Sequence, residues 1–382
     1  MRTIHVRQCF STTRNTRNVA TVAPASSQNH TSTITTHVPI VDMSLPVDDM
    51  GRVLHDACTR VGFFYLVNHG VSEDLRRRLL QEARAFFSMT IEEKERISVA
   101  HSNSYRGYQW MGVNITRQKQ DGHEALDLVS ESTRANIVRD RGLANYGSNQ
   151  WPDPTMLPQF QSTVEEYVAQ MNSVGLRLIT AASLGLGLGP NYFAPFFTDP
   201  YWSMRLIRYP PLVPYDGIPD RGQDKNNSSS NAYEYGVGEH TDYGVFTMIL
   251  CEDVKDTLQI RPKNNNNKRT TNDTSNDVHS ERKDSEWIMV DPIPGGFICN
   301  LGDMLERWTN NMYVSTPHRV LRPSSSQGGD RISIPFFFDP NYDAYIAPVD
   351  HLVQQSGMPP CFEQPIMFGD HLLAKTSQNF RI

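Results

Sequence analysis

Apolar residues recur along this chain in two rhythms. VDDMGRVLHDACTRVG places Val53, Leu54, Ala57 and Val61 at helical spacing. SEDLRRRLLQEARAFFSM predicts a second helix, with Ser72 as its N-cap and Leu75, Leu79, Ala83, Phe86 and Phe87 along its buried face. A third helix fits 158–184, where Phe160, Val164, Tyr167, Val168, Met171 and Leu178 keep the same period. Short strands are expected at HVPIVDMS and FFYLVNHG. From about Trp202 the rhythm changes to short aliphatic and aromatic runs bounded by Gly, Pro, Asn and Asp: MRLIRYPP, GVFTMILCED, TLQIRP, WIMVDP, GFICNLGDML, STPHRVLRP and RISIPFFFDP. Many short strands after a helical half predict an α+β, mainly β fold, a sandwich or barrel braced by N-terminal helices.

Two polar segments interrupt the strands, at 222–235 and 262–285. The second has a single aliphatic residue, Val278, so it buries too little apolar surface to offset its ordering entropy and reads as a surface loop. The glycines of SLGLGLGPNYF follow a helix rather than a strand, which argues against a dinucleotide fingerprint and for a helix end. Before Asp42 there is no acidic residue, whereas Arg2, Arg7, Arg14 and Arg17 stand among many Ser and Thr. Residues 1–36 are therefore an arm outside the fold, with the composition of an organellar transit peptide or of a plain disordered tail. The expected division is this arm, a helical and strand region over 37–200, a core over 201–345 carrying the two insertions, and a C-terminal segment over 346–382.

Charge and cysteines narrow the function. A net charge of −6 with no concentrated basic run argues against nucleic acid as a partner, and no apolar run approaches the length of a membrane span. Five scattered cysteines without CxxC spacing argue against a disulfide framework or zinc cluster and for reduced, intracellular thiols. The expected location is cytoplasmic, or mitochondrial if the arm is a transit peptide. Nothing in the pattern sets an oligomeric state.

The candidate chemistry lies in GVGEHTDYGVFTMIL. Read as one strand, it puts His240 and Asp242 two residues apart on one face. Such a pair suits an Asp–His dyad, the base half of a nucleophilic site, or two legs of a metal site. Among the 12 histidines, His318 stands out because STPHRVLRP places it at the start of an apolar strand just after a proline. Two histidines and one carboxylate with open positions would make the facial triad of non-haem iron(II) oxygenases.

HTDYG at 240–244, PHRV at 317–320 and RISIPFF at 331–337 resemble the HxD, distal-His and RxS motifs of the iron(II)- and 2-oxoglutarate-dependent dioxygenases, in the branch related to isopenicillin N synthase. VPIVDMS, GFFYLVNHGV, RGYQWMG, RLIRYPP, NLGDMLERWTNNMYVSTPHRV and GDHLLAKTSQNF extend the resemblance, in the family's order, over most of 38–382. It implies a double-stranded β-helix, or jelly roll, with His240, Asp242 and His318 as iron ligands. It implies Arg331 and Ser333 as binders of the distal carboxylate of 2-oxoglutarate, with Tyr209 as a further donor, and O2 as the second cosubstrate. A guanidinium fork suits a carboxylate, and three protein ligands leave room for a chelating 2-oxo acid and O2. Arg106 and Tyr108 of RGYQWMG are expected to border the substrate mouth.

The chain departs from the family in three places. Twelve residues separate His318 from Arg331, slightly more than usual, with the excess in the turn PSSSQGGD. The spacing of His240 and His318 is generous because the 262–285 loop lies between them, and Ile207 stands where plant members often carry an amide. The implied reaction is hydroxylation of a small organic substrate, coupled to decarboxylation of 2-oxoglutarate to succinate. The alternatives are an iron oxidase of the same fold that needs no 2-oxoglutarate and, from another class, a metal-free binding protein using its Asn-rich loops.

Overall fold

Most strand-forming runs of this chain sort into two sheets, and two further pairs stand apart. The computed structural model describes residues 38–102, 105–117, 119–131, 147–212, 235–262, 287–324 and 329–379. Its strands in chain order are β1 (Ile40–Asp42), β2 (Phe63–Val67), β3 (Gly107–Gln109), β4 (Ile115–Thr116), β5 (Lys119–Gln120), β6 (Glu124–Val129), β7 (Tyr201–Tyr209), β8 (Tyr235–His240), β9 (Phe246–Cys251), β10 (Leu258–Ile260), β11 (Ile288–Met289), β12 (Phe297–Leu301), β13 (His318–Leu321), β14 (Arg331–Asp339), β15 (Tyr345–Ile346) and β16 (Ile366–Met367). One sheet runs β1-β2-β12-β9-β14-β7-β6-β3 and the other β11-β10-β13-β8. Only β1 and β2 pair in parallel within these two sheets. This is the expected mainly β fold, and β1, β2, β3 and β6 from the N-terminal half supply four strands of the larger sheet.

Strand alternation then separates two cores. On β14, Ile332, Ile334, Phe336 and Phe338 belong to the larger hydrophobic cluster, which also holds Leu54, Leu79, Tyr167 and Leu178. Those last four come from the helices Val47–Arg60, Glu73–Phe87 and Phe160–Gly185, so the helices cover this face of the sheet. Because successive strand residues point to opposite faces, Arg331 and Ser333 look the other way. There a smaller cluster joins Phe63, Ile207, Tyr209 and Ile298 of the larger sheet to Leu258, Ile260 and Val320 of the smaller one. Polar residues inserted between the sheets are thus shielded by apolar neighbours.

The helices follow their sequence signals. Ser72 caps the second helix, its hydroxyl accepting from the Leu75 amide at 3.1 Å, and the five residues predicted for its buried face are all buried. The third spans Phe160–Gly185. β6 carries no strand signal, because Glu, Ala and Leu in EALDLV favour helix. Its pairing with β7, from Glu124 opposite Arg208 to Val129 opposite Ser203, overrides that preference. The insertion at 222–235 falls outside the described residues but for Tyr235, which begins β8, and that at 262–285 but for Pro262. No helix among the described residues is long and apolar enough to cross a membrane.

Candidate metal centre and substrate cavity

His240 and Asp242 are brought together differently from the one-strand reading. β8 ends at His240, Asp242 lies in the turn that follows, and β9 begins only at Phe246 in the other sheet. The segment HTDYG is therefore a crossing between sheets, not the middle of a strand. Close packing at Gly244 sets the turn: a Cβ there would run into the Asp339 carboxylate. His318 opens β13 directly opposite His240 in the ladder. The result is a cluster of His240, Asp242 and His318 whose donor atoms all lie within 4.8 Å of one another.

The remaining polar atoms of these three side chains are already engaged, which aims the free ones. The Nδ1–H of His240 donates to the Gly238 carbonyl at 2.8 Å, and that of His318 to the Thr316 carbonyl at 3.1 Å. A carbonyl can only accept, so each Nε2 is left with its lone pair, the tautomer a metal requires. Both Nε2 atoms face Asp242 Oδ1, at 3.9 and 3.8 Å. Asp242 Oδ2 is held by the Thr247 hydroxyl at 2.5 Å and by Asn300 Nδ2 at 2.6 Å. Burial opposes ionisation of Asp242, but the two histidines, Asn300 and Thr247 outweigh it and hold the carboxyl below its ordinary range. Burial, with His318 beside it, pushes His240 down to about 4 and keeps it neutral. Two imidazoles and one carboxylate fit a divalent iron in type and arrangement.

Arg331, Ser333 and Tyr209 gather on the inner face of β14 and β7, where Arg331 pairs with Tyr209 and Ser333 with Ile207. All three are buried. Arg331 Nε and Nη1 are fully shielded and have no hydrogen-bond partner among the described residues, while the guanidinium also reaches the Cys251 thiol. Such a charge is costly unless an anion completes it. Burial pushes the Tyr209 phenol up to about 12, against the pull of Arg331, so it stays a neutral donor. Gly236 of β8 lies against its ring, where a Cβ would not fit.

A cavity of about 210 Å³ opens beside the triad. His240, Asp242, Tyr243 and Gly244 line it, with Asp121, Asp127, Arg205, Asp339 and Phe337 from the sheet side and Leu372 and Thr376 from the C-terminal helix Phe368–Asn379. Arg205 is occupied by Asp127 at 2.8 Å, Gln109 at 2.9 Å and Asn114 at 3.0 Å. Asp121 accepts from the Gly238 amide and the Thr116 hydroxyl. Among the described residues Asp339 accepts one hydrogen bond, from the Val245 amide at 2.7 Å, and burial pushes its carboxyl up to about 7.

Arg106 and Tyr108 do not border this mouth. Both are about 1% exposed, Arg106 donating to the Ser130 carbonyl and Tyr108 to Glu124 on the helix-covered face. The parity of β3 explains the error, and Tyr105 lines the cavity instead. Asn300, Thr247, Arg205 and Asp339 were not singled out from the sequence. Their one signal there is polarity inside an apolar strand, as in FICNL and RISIPFFFD.

Comparison with known proteins agrees with this geometry. Residues 201–340 match the family described as the 2OG-Fe(II) oxygenase superfamily, and residues 38–154 the N-terminal region described as non-haem dioxygenase in morphine synthesis. The chain is 34% identical to a homoarginine-6-hydroxylase of Glycine max over 86% of its own length and 88% of that protein's. It is 34% identical to another of Arabidopsis thaliana, over 87% and 90%. Among solved structures, a Neurospora crassa protein in complex with alpha-KG and thymine has a similar fold, with a TM-score of 0.69 at 23% identity, covering 89% of this chain and 96% of that one.

Proposed function

Since this chain belongs to the iron(II)- and 2-oxoglutarate-dependent oxygenases, we propose that His240, Asp242 and His318 hold its iron, that Arg331, Ser333 and Tyr209 hold the far carboxylate of 2-oxoglutarate, and that it hydroxylates a small basic amino acid of the homoarginine type. The observation that carries the assignment of the two sites is their complementary incompleteness. Three donor atoms converge with their other polar atoms engaged, and one buried guanidinium has two open donors. Similarity to the homoarginine hydroxylases over most of both chains supports the substrate class.

Bound iron would supply the chemistry that couples O2 and decarboxylation of 2-oxoglutarate to insertion of oxygen into a substrate C–H bond. The chain's own residues prepare that event. Gly238 and Thr316 fix the imidazoles through their Nδ1 protons, while Thr247 and Asn300 fix the carboxylate rotamer. Arg331 offers a fork that a dicarboxylate of the right length completes, with the Tyr209 ring 5.4 Å from its central carbon. Phe63, edge-on to His318 at 5.3 Å, belongs to the apolar cluster that keeps water from the buried side of the centre.

The test is succinate release by the iron-loaded protein with homoarginine, arginine, lysine and neutral amino acids, with product mass measured in parallel. Oxidation of a basic substrate in step with succinate is expected, read as a gain of one oxygen or, where the oxidised carbon bears the guanidino nitrogen, as the aldehyde and free guanidine into which that product divides. Succinate formation that no basic amino acid stimulates would overturn the substrate class, and loss of 2-oxoglutarate dependence would favour the oxidase alternative.

A further inference from the structure

Among the described residues four carboxylates line the substrate cavity, and three of them are satisfied by the protein. Asp127 is paired with Arg205, Asp121 accepts from an amide and a hydroxyl, and Asp242 belongs to the metal cluster. Asp339 differs. It is 3% exposed, and among the described residues no lysine or arginine pairs with it and its one hydrogen bond comes from the Val245 amide to Oδ1. Among those residues its other oxygen is left without a partner in a cavity wall. A shielded carboxylate of this kind needs a donor or a cation.

Position makes the gap specific. Asp339 packs directly on Gly244, two residues beyond Asp242, shares one cavity wall with His240 and Asp242, and feels the charge of Asp242. The relatives are named as 6-hydroxylases of homoarginine, and carbon 6 of that molecule bears the guanidino nitrogen. Oxidising that carbon requires the cationic group to be held within a few ångströms of the iron. A carboxylate in this place also presents the planar acceptor that a guanidinium fork matches.

Resting on the substrate class proposed above, we infer that Asp339 is the specificity-determining residue that anchors the cationic end of the substrate next to the metal centre, through the oxygen not used by Val245. The Val245 contact by itself would be satisfied equally by an amide, and this separates a merely structural role from recognition. Asp339→Asn keeps an acceptor for the Val245 amide and removes the charge.

The experiment compares the iron-loaded wild type with Asp339→Asn, using homoarginine and homocitrulline, its uncharged ureido analogue. The wild type is expected to favour homoarginine. The variant should raise KM for homoarginine at least ~10-fold, the loss expected for one charge-assisted contact, with homocitrulline unaffected. Iron affinity, 2-oxoglutarate affinity and Tm should stay at wild-type values. Asp339→Ser serves as a second variant with the same expectation, should the asparagine protein fold poorly. Wild-type turnover of homoarginine with an unchanged KM in the folded variants would overturn the anchor while leaving the substrate class intact. A wild type that shows no preference for charged over uncharged amino acids would overturn the substrate class and the anchor with it.

Discussion

Arg331 and Tyr209 face each other across the β14–β7 ladder, with the guanidinium carbon 5.4 Å from the centre of the tyrosine ring. The ring covers one side of a cation whose Nε and Nη1 have no partner among the described residues. Removing one partner of a buried charge pair costs on the order of 3–5 kcal/mol, which is at least about a hundredfold in affinity. Arg331→Leu should therefore weaken 2-oxoglutarate binding by that factor and leave iron binding intact. The measurement is the visible charge-transfer band of the anaerobic iron complex, titrated with 2-oxoglutarate in wild type and variant. An equal midpoint in both would place the cosubstrate elsewhere.

Asn300 and Thr247 touch no metal, yet both grip Asp242 Oδ2. Groups that orient a ligand in this way are typically worth about 10–100-fold in metal affinity. Asn300→Ala and Thr247→Val should each weaken anaerobic iron(II) binding within that range, whereas Asp242→Ala should abolish most of it. Isothermal titration would read all three. Wild-type affinity in the Asn300 variant would show that the Asp242 rotamer needs no support.

His123 is buried, its Nδ1–H donating to the Gly236 carbonyl at 2.7 Å and its Nε2 accepting from Asn114. Burial, with Arg205 and His240 adding to it, pushes it down to about 3 from an ordinary 6.5. Between those values the unfolded chain binds the proton and the folded chain does not, so stability falls as pH drops. The slope is up to roughly 1.4 kcal/mol per pH unit. His69, pushed down to about 4 chiefly by burial, acts in the same direction. Urea unfolding of metal-free protein at pH 7 and pH 5 should show this loss, reduced by about 2 kcal/mol in His123→Gln. Parallel pH profiles for the two proteins would count against it.

Gly62 has φ of +71°, and a Cβ there would meet the Val314 carbonyl and the Thr316 hydroxyl. The Thr316 carbonyl is the acceptor that orients His318. Gly62→Ala should thus cost more than ~1 kcal/mol and weaken iron binding through a residue that never touches the metal. Calorimetry and iron titration on the same sample would check both effects. A lower Tm with full iron affinity would confine the strain to the fold.

The sequence by itself determined the parts of this protein that depend on local order. Helical spacing placed Leu75, Leu79, Ala83, Phe86 and Phe87 on one buried face, and Ser72 at its cap, because those features are set within a few turns of chain. Apolar runs between turn formers gave most strands of the two sheets, and HTD, PHRV and RIS carried the family and its triad. Only the tertiary structure decided how residues far apart in the chain meet. The crossing of HTDYG between sheets, the strand fate of EALDLV, and the inward turn of Tyr105 in place of Arg106 all depend on pairing partners remote in sequence. So does the difference among four cavity carboxylates. Asp121, Asp127, Asp242 and Asp339 are the same residue type, and the partners that other strands supply among the described residues leave Asp339 with an open oxygen beside the metal centre.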